Sequence, residues 1–173
     1  MQIKYSNIGS EPISLEEVKT YLQIAYDDSD TLITSLITAA REMIEEYTGL
    51  ALVQKTIEYF SERIDEATFL LPYPQHNEVT EVKFNGVVTT DYTKSGLSQF
   101  YITLNSLPTI TTPSEFGFYC KYTTTGECAW AIKIELMRLI YECYDKRANT
   151  FDGSAMQLDA TSYSNLSKYI VER

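Results

Sequence analysis

The chain has one histidine, three cysteines and only fourteen lysines and arginines in 173 residues, and each shortage excludes a class of function. The lone His76 lies in a turn with Pro72 and Pro74, with no partner to complete a Ser-His-acid or Cys-His set and too few imidazoles for a structural zinc site. Cys120, Cys128 and Cys143 are too few and too irregularly spaced for a disulfide framework, and none stands in C-x-x-C spacing; free thiols in a reducing compartment are expected. No run approaches the roughly 18 apolar residues of a membrane span, and the N-terminus lacks a basic patch followed by an apolar stretch, so neither a span nor a secretory signal is expected. Neither G-x-x-x-x-G-K-[ST] nor G-x-G-x-x-G occurs, so no phosphate cradle and no cofactor is implied. Lysine and arginine nowhere cluster, which removes binding by neutralisation of DNA phosphates.

Acid and tyrosine are abundant instead. The net charge is −10, and residues 1–50 carry nine acids against three bases. Fourteen tyrosines suit either half-buried strands or interfaces, because one end of the side chain packs while the hydroxyl seeks a polar partner. Asp27-Asp28-Ser29-Asp30 lacks the glycine and the closing glutamate of a calcium-binding loop and reads as helix capping. Paired acids such as Glu16-Glu17 and Glu45-Glu46 fall on polar helix faces. No catalytic constellation emerges.

The hydropathy pattern divides the chain by period. After an extended lead-in over 1–12, Ser14 and Glu17 form a capping box for a short first helix of about 15–24. A second helix over about 30–47 carries Ile33, Leu36, Ile37, Ala40, Ile44 and Tyr47 at helical spacing, with Gly49 where a left-handed residue would end it. From 52 to about 123 the period becomes that of strands, and Asn85-Gly86 between Phe84 and Val87 is a strong hairpin signal. Phe116, Phe118, Cys120 and Tyr122 alternate as one buried face. A third helix over about 128–147 offers Trp130 or Ala129, Ile132, Leu136, Leu139, Ile140 and Cys143 as its apolar side and is the natural partner of the second. The expected fold is α+β, mainly α: a bundle of three main helices with an inserted antiparallel β element. Residues 1–147 would form the domain and 148–173 a polar tail or arm ending in a short helix.

The wording of these segments carries a resemblance. "ISLEEVKTYLQI", an acidic turn and "LITSLITAAREMIEEYTG" resemble the opening of the tailed-phage head–tail connector (adaptor) proteins, the rings beneath the portal. "AAREMIEEYTG" running at once into "LALVQKTIEYF", "LLPYP" followed by "NEVTEVKFNG", and the closing "AIKIELMRLIYECYDKR" are similar to the same family, whereas the Ser/Asn-rich extension after Asn149 departs from it.

The resemblance implies a structural virion protein, not an enzyme, assembled in the host cytoplasm and placed at the head–tail interface. It would form a closed ring of about twelve copies. Its partners would be itself, the portal protein and a downstream connector, stopper or tail protein. Double-stranded DNA would pass through the centre without sequence-specific binding, and no membrane is involved. An acidic lumen is compatible with that passage, because it repels phosphates and lets a duplex slide. Three surfaces are candidates for contact: Tyr163, Leu166, Tyr169 and Ile170 for portal docking, the Asn85-Gly86 tip for the lumen or downstream partner, and Glu16, Glu17, Glu42, Glu45 and Glu46 for lateral contacts. The tail either docks on the portal or folds back on its own domain. The alternatives are a phage-encoded intracellular protein-interaction module, or a small enzyme whose site follows no recognised motif.

Overall fold

A computed structural model describes residues 2–63, 66–96, 99–107, 117–146 and 158–171. The chain divides into two compact units: one of residues 1–10, 49–127 and 171–173, the other of 11–48 and 128–170.

The first unit is built of strands. These are β1 (Gln2–Asn7), β2 (Lys55–Ser61), β3 (Thr68–Leu71), β4 (His76–Phe84), β5 (Val87–Val88), β6 (Tyr92–Ser95), β7 (Phe100–Leu104) and β8 (Phe118–Thr124). They form two antiparallel sheets, a five-stranded one ordered β1-β2-β8-β4-β5 and a three-stranded one ordered β3-β7-β6. Alternation along β2, β7 and β8 turns one face of each strand inward, as a period of two requires. In the larger sheet Ile57 pairs with Tyr122 and Tyr59 with Cys120, while in the smaller one Phe69 pairs with Ile102 and Leu71 with Phe100. These inward residues make a single core, in which Phe69 stacks on Phe118 with ring centroids 3.8 Å apart. Phe116, the first residue of the expected alternation, lies outside the described residues.

The second unit is helical: α1 (Leu15–Leu22), α2 (Asp30–Thr48), α3 (Trp130–Lys146) and α4 (Ala160–Leu166), followed by a 3₁₀ turn over Ser167–Tyr169. Its core holds Ile33, Ile37, Ala40 and Ile44 of α2 against Ile132, Leu136, Leu139 and Ile140 of α3. Leu36, expected among them, is half-buried. Gly49 follows α2 with φ 75°, the left-handed conformation that the sequence placed there.

The expectation of a mainly α, three-helix bundle with an inserted β element is overturned. There are four helices and eight strands among the described residues, and the strands form two sheets around a core of their own. The physical reason lies in the alternation. A strand with one apolar face cannot bury it against its hydrogen-bonded neighbours, which lie in the same plane, so several such strands demand an opposing layer. The lead-in is also a strand: β1 pairs with β2 from Gln2↔Phe60 to Asn7↔Lys55. The expected boundary at 147/148 lies outside the described residues, and 158–170 belong to the helical unit.

Candidate assembly surfaces

Of the four residues expected to dock, Leu166 is fully buried, whereas Tyr163 and Ile170 are 46% and 48% exposed and Tyr169 lies between. The short α4 that carries Tyr163 and Leu166 is too brief to be stable alone. It is fixed by a polar network from α3. Asp159 caps α4, accepting from the Ser162 amide at 2.7 Å. The Arg138 guanidinium donates to Asp159 at 2.7 and 3.2 Å, to Glu135 at 3.1 Å and to Glu142 at 2.5 Å, and it also reaches the Ser162 hydroxyl. Buried Glu135 accepts from Asn165 at 2.6 Å and from the Ser162 hydroxyl at 3.2 Å. Arg138, together with the Ser162 amide, holds the Asp159 carboxyl well below the usual carboxylate range. Tyr163 meets Tyr47 edge-on at 5.0 Å, and the Tyr47 hydroxyl donates to the Tyr163 carbonyl at 3.4 Å.

The five acids expected at lateral contacts do not form one free face. Glu17 completes the capping box, its carboxylate accepting from the Ser14 amide at 2.7 Å while its own amide donates to the Ser14 hydroxyl at 3.2 Å. The Ser14 amide most, and the Ser14 hydroxyl after it, lower the Glu17 carboxyl pKa. Glu45 is buried and accepts from Arg41 at 2.7 Å. Arg41, itself 1% exposed, also donates to Glu11 at 2.8 Å, and Glu42 stands 3.4 Å from it. Burial works against the Arg41 charge, but Glu11 and Glu45 outweigh it and raise its pKa. Glu16, Glu42 and Glu46 remain exposed. The acidic joint has its own cation: the Lys19 ammonium donates to Asp27 at 2.6 Å and to Asp30 at 2.8 Å, which raises its pKa and lowers that of Asp27.

The Asn85-Gly86 tip is where the sequence put it. Asn85 has φ 49° and Gly86 φ 80°, closing the β4–β5 hairpin between Phe84 and Val87. Val87 and Val88 just beyond are 68% and 58% exposed. Trp130 is a correction: expected as a possible member of the apolar side of α3, it is 70% exposed. Its phase on the helix, on the side opposite Ile132 and Leu136, could have shown this.

His76, expected in a turn, instead opens β4 and is half-buried, its ring stacked at 3.8 Å on Phe100 and its Nδ1 3.1 Å from the Pro74 carbonyl oxygen. A cavity of about 550 Å³ in the strand unit is lined by Ile3, Tyr59, Phe69, Tyr73 and Tyr101 among others. Two of its charged residues, Arg63 and Glu66, form an ion pair of their own at 2.5 Å. Among the described residues no cluster of three or more His, Cys, Asp or Glu could hold a metal ion. None of the three cysteines is in a disulfide, and burial pushes the Cys120 thiol up to about 12.

The sequence model of the head completion protein family matches residues 11–170, and the chain belongs to that family. Three solved chains are similar in fold. One from the neck of an empty gene transfer agent particle, computed with C6 symmetry, has a TM-score of 0.76 at 15% identity, covering 98% of this chain and 96% of that one. One from the virion of a native gene transfer agent particle has a TM-score of 0.77 at 12% identity, covering 100% and 97%. One from the neck of a native particle computed with C12 symmetry has a TM-score of 0.63 at 12% identity, covering 98% and 96%. At such identities the likeness establishes the fold alone. A comparison with curated protein sequences finds no match.

Proposed function

We propose that the chain is a structural subunit of the head–tail neck of a tailed-phage-like particle. It forms a ring between the portal and the next connector, stopper or tail protein, with double-stranded DNA passing through the centre. The observation that carries this reading is the family match from 11 to 170, which runs through both units. The charge supports it: at −10, with no basic cluster, the chain does not hold DNA phosphates, and a lumen of such subunits lets a duplex slide. Copies arranged head to tail close into a ring, and the neck that holds one of the similar chains, computed with C12 symmetry, supports that reading.

In this reading the C-terminal segment meets the portal through Tyr163, Tyr169 and Ile170, with Leu166 as the anchor that holds α4 to its own unit. Aromatic and aliphatic side chains left exposed on a pinned element suit a contact that needs no ordering of the chain. The Asn85-Gly86 tip, rigid and flanked by exposed Val87 and Val88, faces the lumen or the downstream component. Glu16, Glu42 and Glu46 border the lateral contacts.

The test is binding of the full chain to its portal, measured by native mass, for the wild type and for Tyr163→Ser with Ile170→Ser. Ile170 is exposed, but Tyr163→Ser gives up the edge-on contact with Tyr47, so the melting temperature should fall by no more than about 2–6 °C while portal binding falls at least about tenfold. Unchanged binding would remove the C-terminal segment from the portal contact, and no binding by the wild type would count against the neck reading.

A further inference from the structure

The two sheets of the strand unit are unequal, five strands against three, and the chain itself closes only one side between them. At the β5–β6 side three residues, Thr89 to Asp91, pass from one sheet to the other. The Thr89 amide donates to the Val82 carbonyl at 2.9 Å and the Asn105 amide to the Asp91 carbonyl at 3.1 Å, which laces that side shut. At the opposite side β1 and β3 each end their sheet. β1 turns Ile3 to the core side, opposite Tyr59, where it stays half-buried; among the described residues no strand lies beyond β3 to cover it. The cavity of about 550 Å³ lies here. It touches Phe69 and Leu71 on the inner face of β3 and Leu70, with its pair Tyr101, on the outer face. A cavity that straddles a strand edge has the shape of a missing neighbour strand, whose side chains would point alternately to the two faces.

The backbone of β3 is phased to receive one. The Leu104 amide donates to the Ala67 carbonyl at 2.8 Å, in register with the β3–β7 ladder. Pairs in an antiparallel ladder alternate between exchanging hydrogen bonds and turning them away, so Phe69 and Leu71 bond to β7 while Thr68 and Leu70 turn N–H and C=O to the open side. The 3.1 Å approach of the Thr68 and Thr103 hydroxyls fits that phase, because side chains stand closer in the pairs that do not exchange bonds. Natural edges are blunted by charge, proline or a bulge, and Thr68-Phe69-Leu70-Leu71 has none of these. Among the described residues the charged lining of the cavity is Glu62, Arg63 and Glu66, all in the loop before Thr68. Arg63 and Glu66 are paired at 2.5 Å, which leaves the exposed Glu62 as a surplus carboxylate at that end.

We propose that this open side binds an extended segment of another protein, which adds to β3 as an antiparallel strand of about four residues with apolar side chains at alternate positions and a lysine or arginine at its C-terminal end. The turned-out N–H and C=O groups of Thr68 and Leu70 require a strand backbone. Ile3, Tyr59, Phe69 and Leu71 require apolar side chains on its inner face. An antiparallel guest, like every strand pair of the sheets, ends beside Thr68, where the surplus carboxylate meets a cation. A second copy does not supply this segment. Among the described residues its other open edges are β1, which borders the same cavity, β5, two residues long, and β6, whose exposed Thr93, Lys94 and Ser95 are polar. The site does not rest on the neck reading.

Fluorescence anisotropy of the full chain with a labelled peptide, fluorescein-Thr-Val-Thr-Val-Thr-Lys-amide, tests it. Binding should saturate with a Kd below about 1 mM. Guest residues that bond to Thr68 and Leu70 share their outer face, so the threonine amides of the peptide face β3 and the valine amides face away. N-methylation of the threonine amides should therefore weaken binding at least about tenfold, and N-methylation of the valine amides less than about threefold. Glutamate in place of the peptide's lysine should weaken it about threefold or more. In the protein, Leu70→Pro removes an outward N–H that β7 does not use, and should weaken binding at least about tenfold with the circular dichroism unchanged. If that variant misfolds, the two methylated peptides decide the matter alone. No saturable binding by the wild type, equal effects of the two methylations, or full binding by folded Leu70→Pro would overturn the proposal. A wild-type oligomer that the peptide breaks into monomers would make a second copy the occupant, and would overturn it as well.

Discussion

Single residues in this chain do their work through partners far along the sequence. Ser14 and Glu17 are three apart and their capping box is legible without a structure. Lys19 and Asp30 are eleven apart, Arg138 and Asp159 twenty-one, and no local rule connects them. The acidic joint therefore reads as caps alone, when in fact a lysine from the preceding helix ties it together. Asp159 offers a measurable consequence. Its pKa is depressed in the folded chain relative to an ordinary unfolded value of about 3.9, so the stability it contributes is fully present above that value and lost as pH falls through the folded one. Hydrogen exchange in α4 should therefore lose protection as the solution is acidified below about pH 4. Asp159→Asn keeps a good capping side chain but not the charge, and should flatten that pH dependence. An identical acid response in both proteins would show that Asp159 does not pin α4.

At the scale of elements, the signals that survive are those fixed by local backbone chemistry. The bounds expected for the first two helices differ from α1 and α2 by two residues or fewer, and the Asn85-Gly86 turn was legible because both positions need positive φ. Two features stayed hidden. β1 has a mostly exposed edge and no clean alternation, so only its pairing to β2 defines it. Exposed Trp130, Ile134 and Tyr141 give α3 apolar residues in two phases, which let Trp130 be taken for the core side. Replacing Asn85-Gly86 by Ala-Ala should cost about 1–2 kcal/mol for each residue forced into a left-handed conformation. Urea unfolding would measure this, and a loss confined to stability makes the tip an ordinary turn. A variant that remains folded, binds portal normally and fails to recruit tail parts would assign the tip to the downstream contact.

Across the whole molecule, the sequence carried the family more plainly than the architecture. The helical segments from Ser14 to Thr48 and along α3 resemble head–tail connectors in wording, and the family match over 11–170 agrees. The fold class is not legible in the sequence because each strand announces its own buried face but not the layer opposite it. Only when Phe69 of one sheet is seen against Phe118 of the other does the strand region become a core in its own right. The candidate contact surfaces were legible in part. The C-terminal aromatics and the hairpin tip could be named from the sequence, but the engagement of Glu17 and Glu45 by Ser14 and Arg41 could not. The central claim, a subunit of the head–tail neck, is tested most directly by electron cryomicroscopy of purified particles carrying a tagged copy of the chain. The account predicts a ring of tag density between portal and tail; particles that bear tails but lack the chain, or carry it away from the neck, would contradict it.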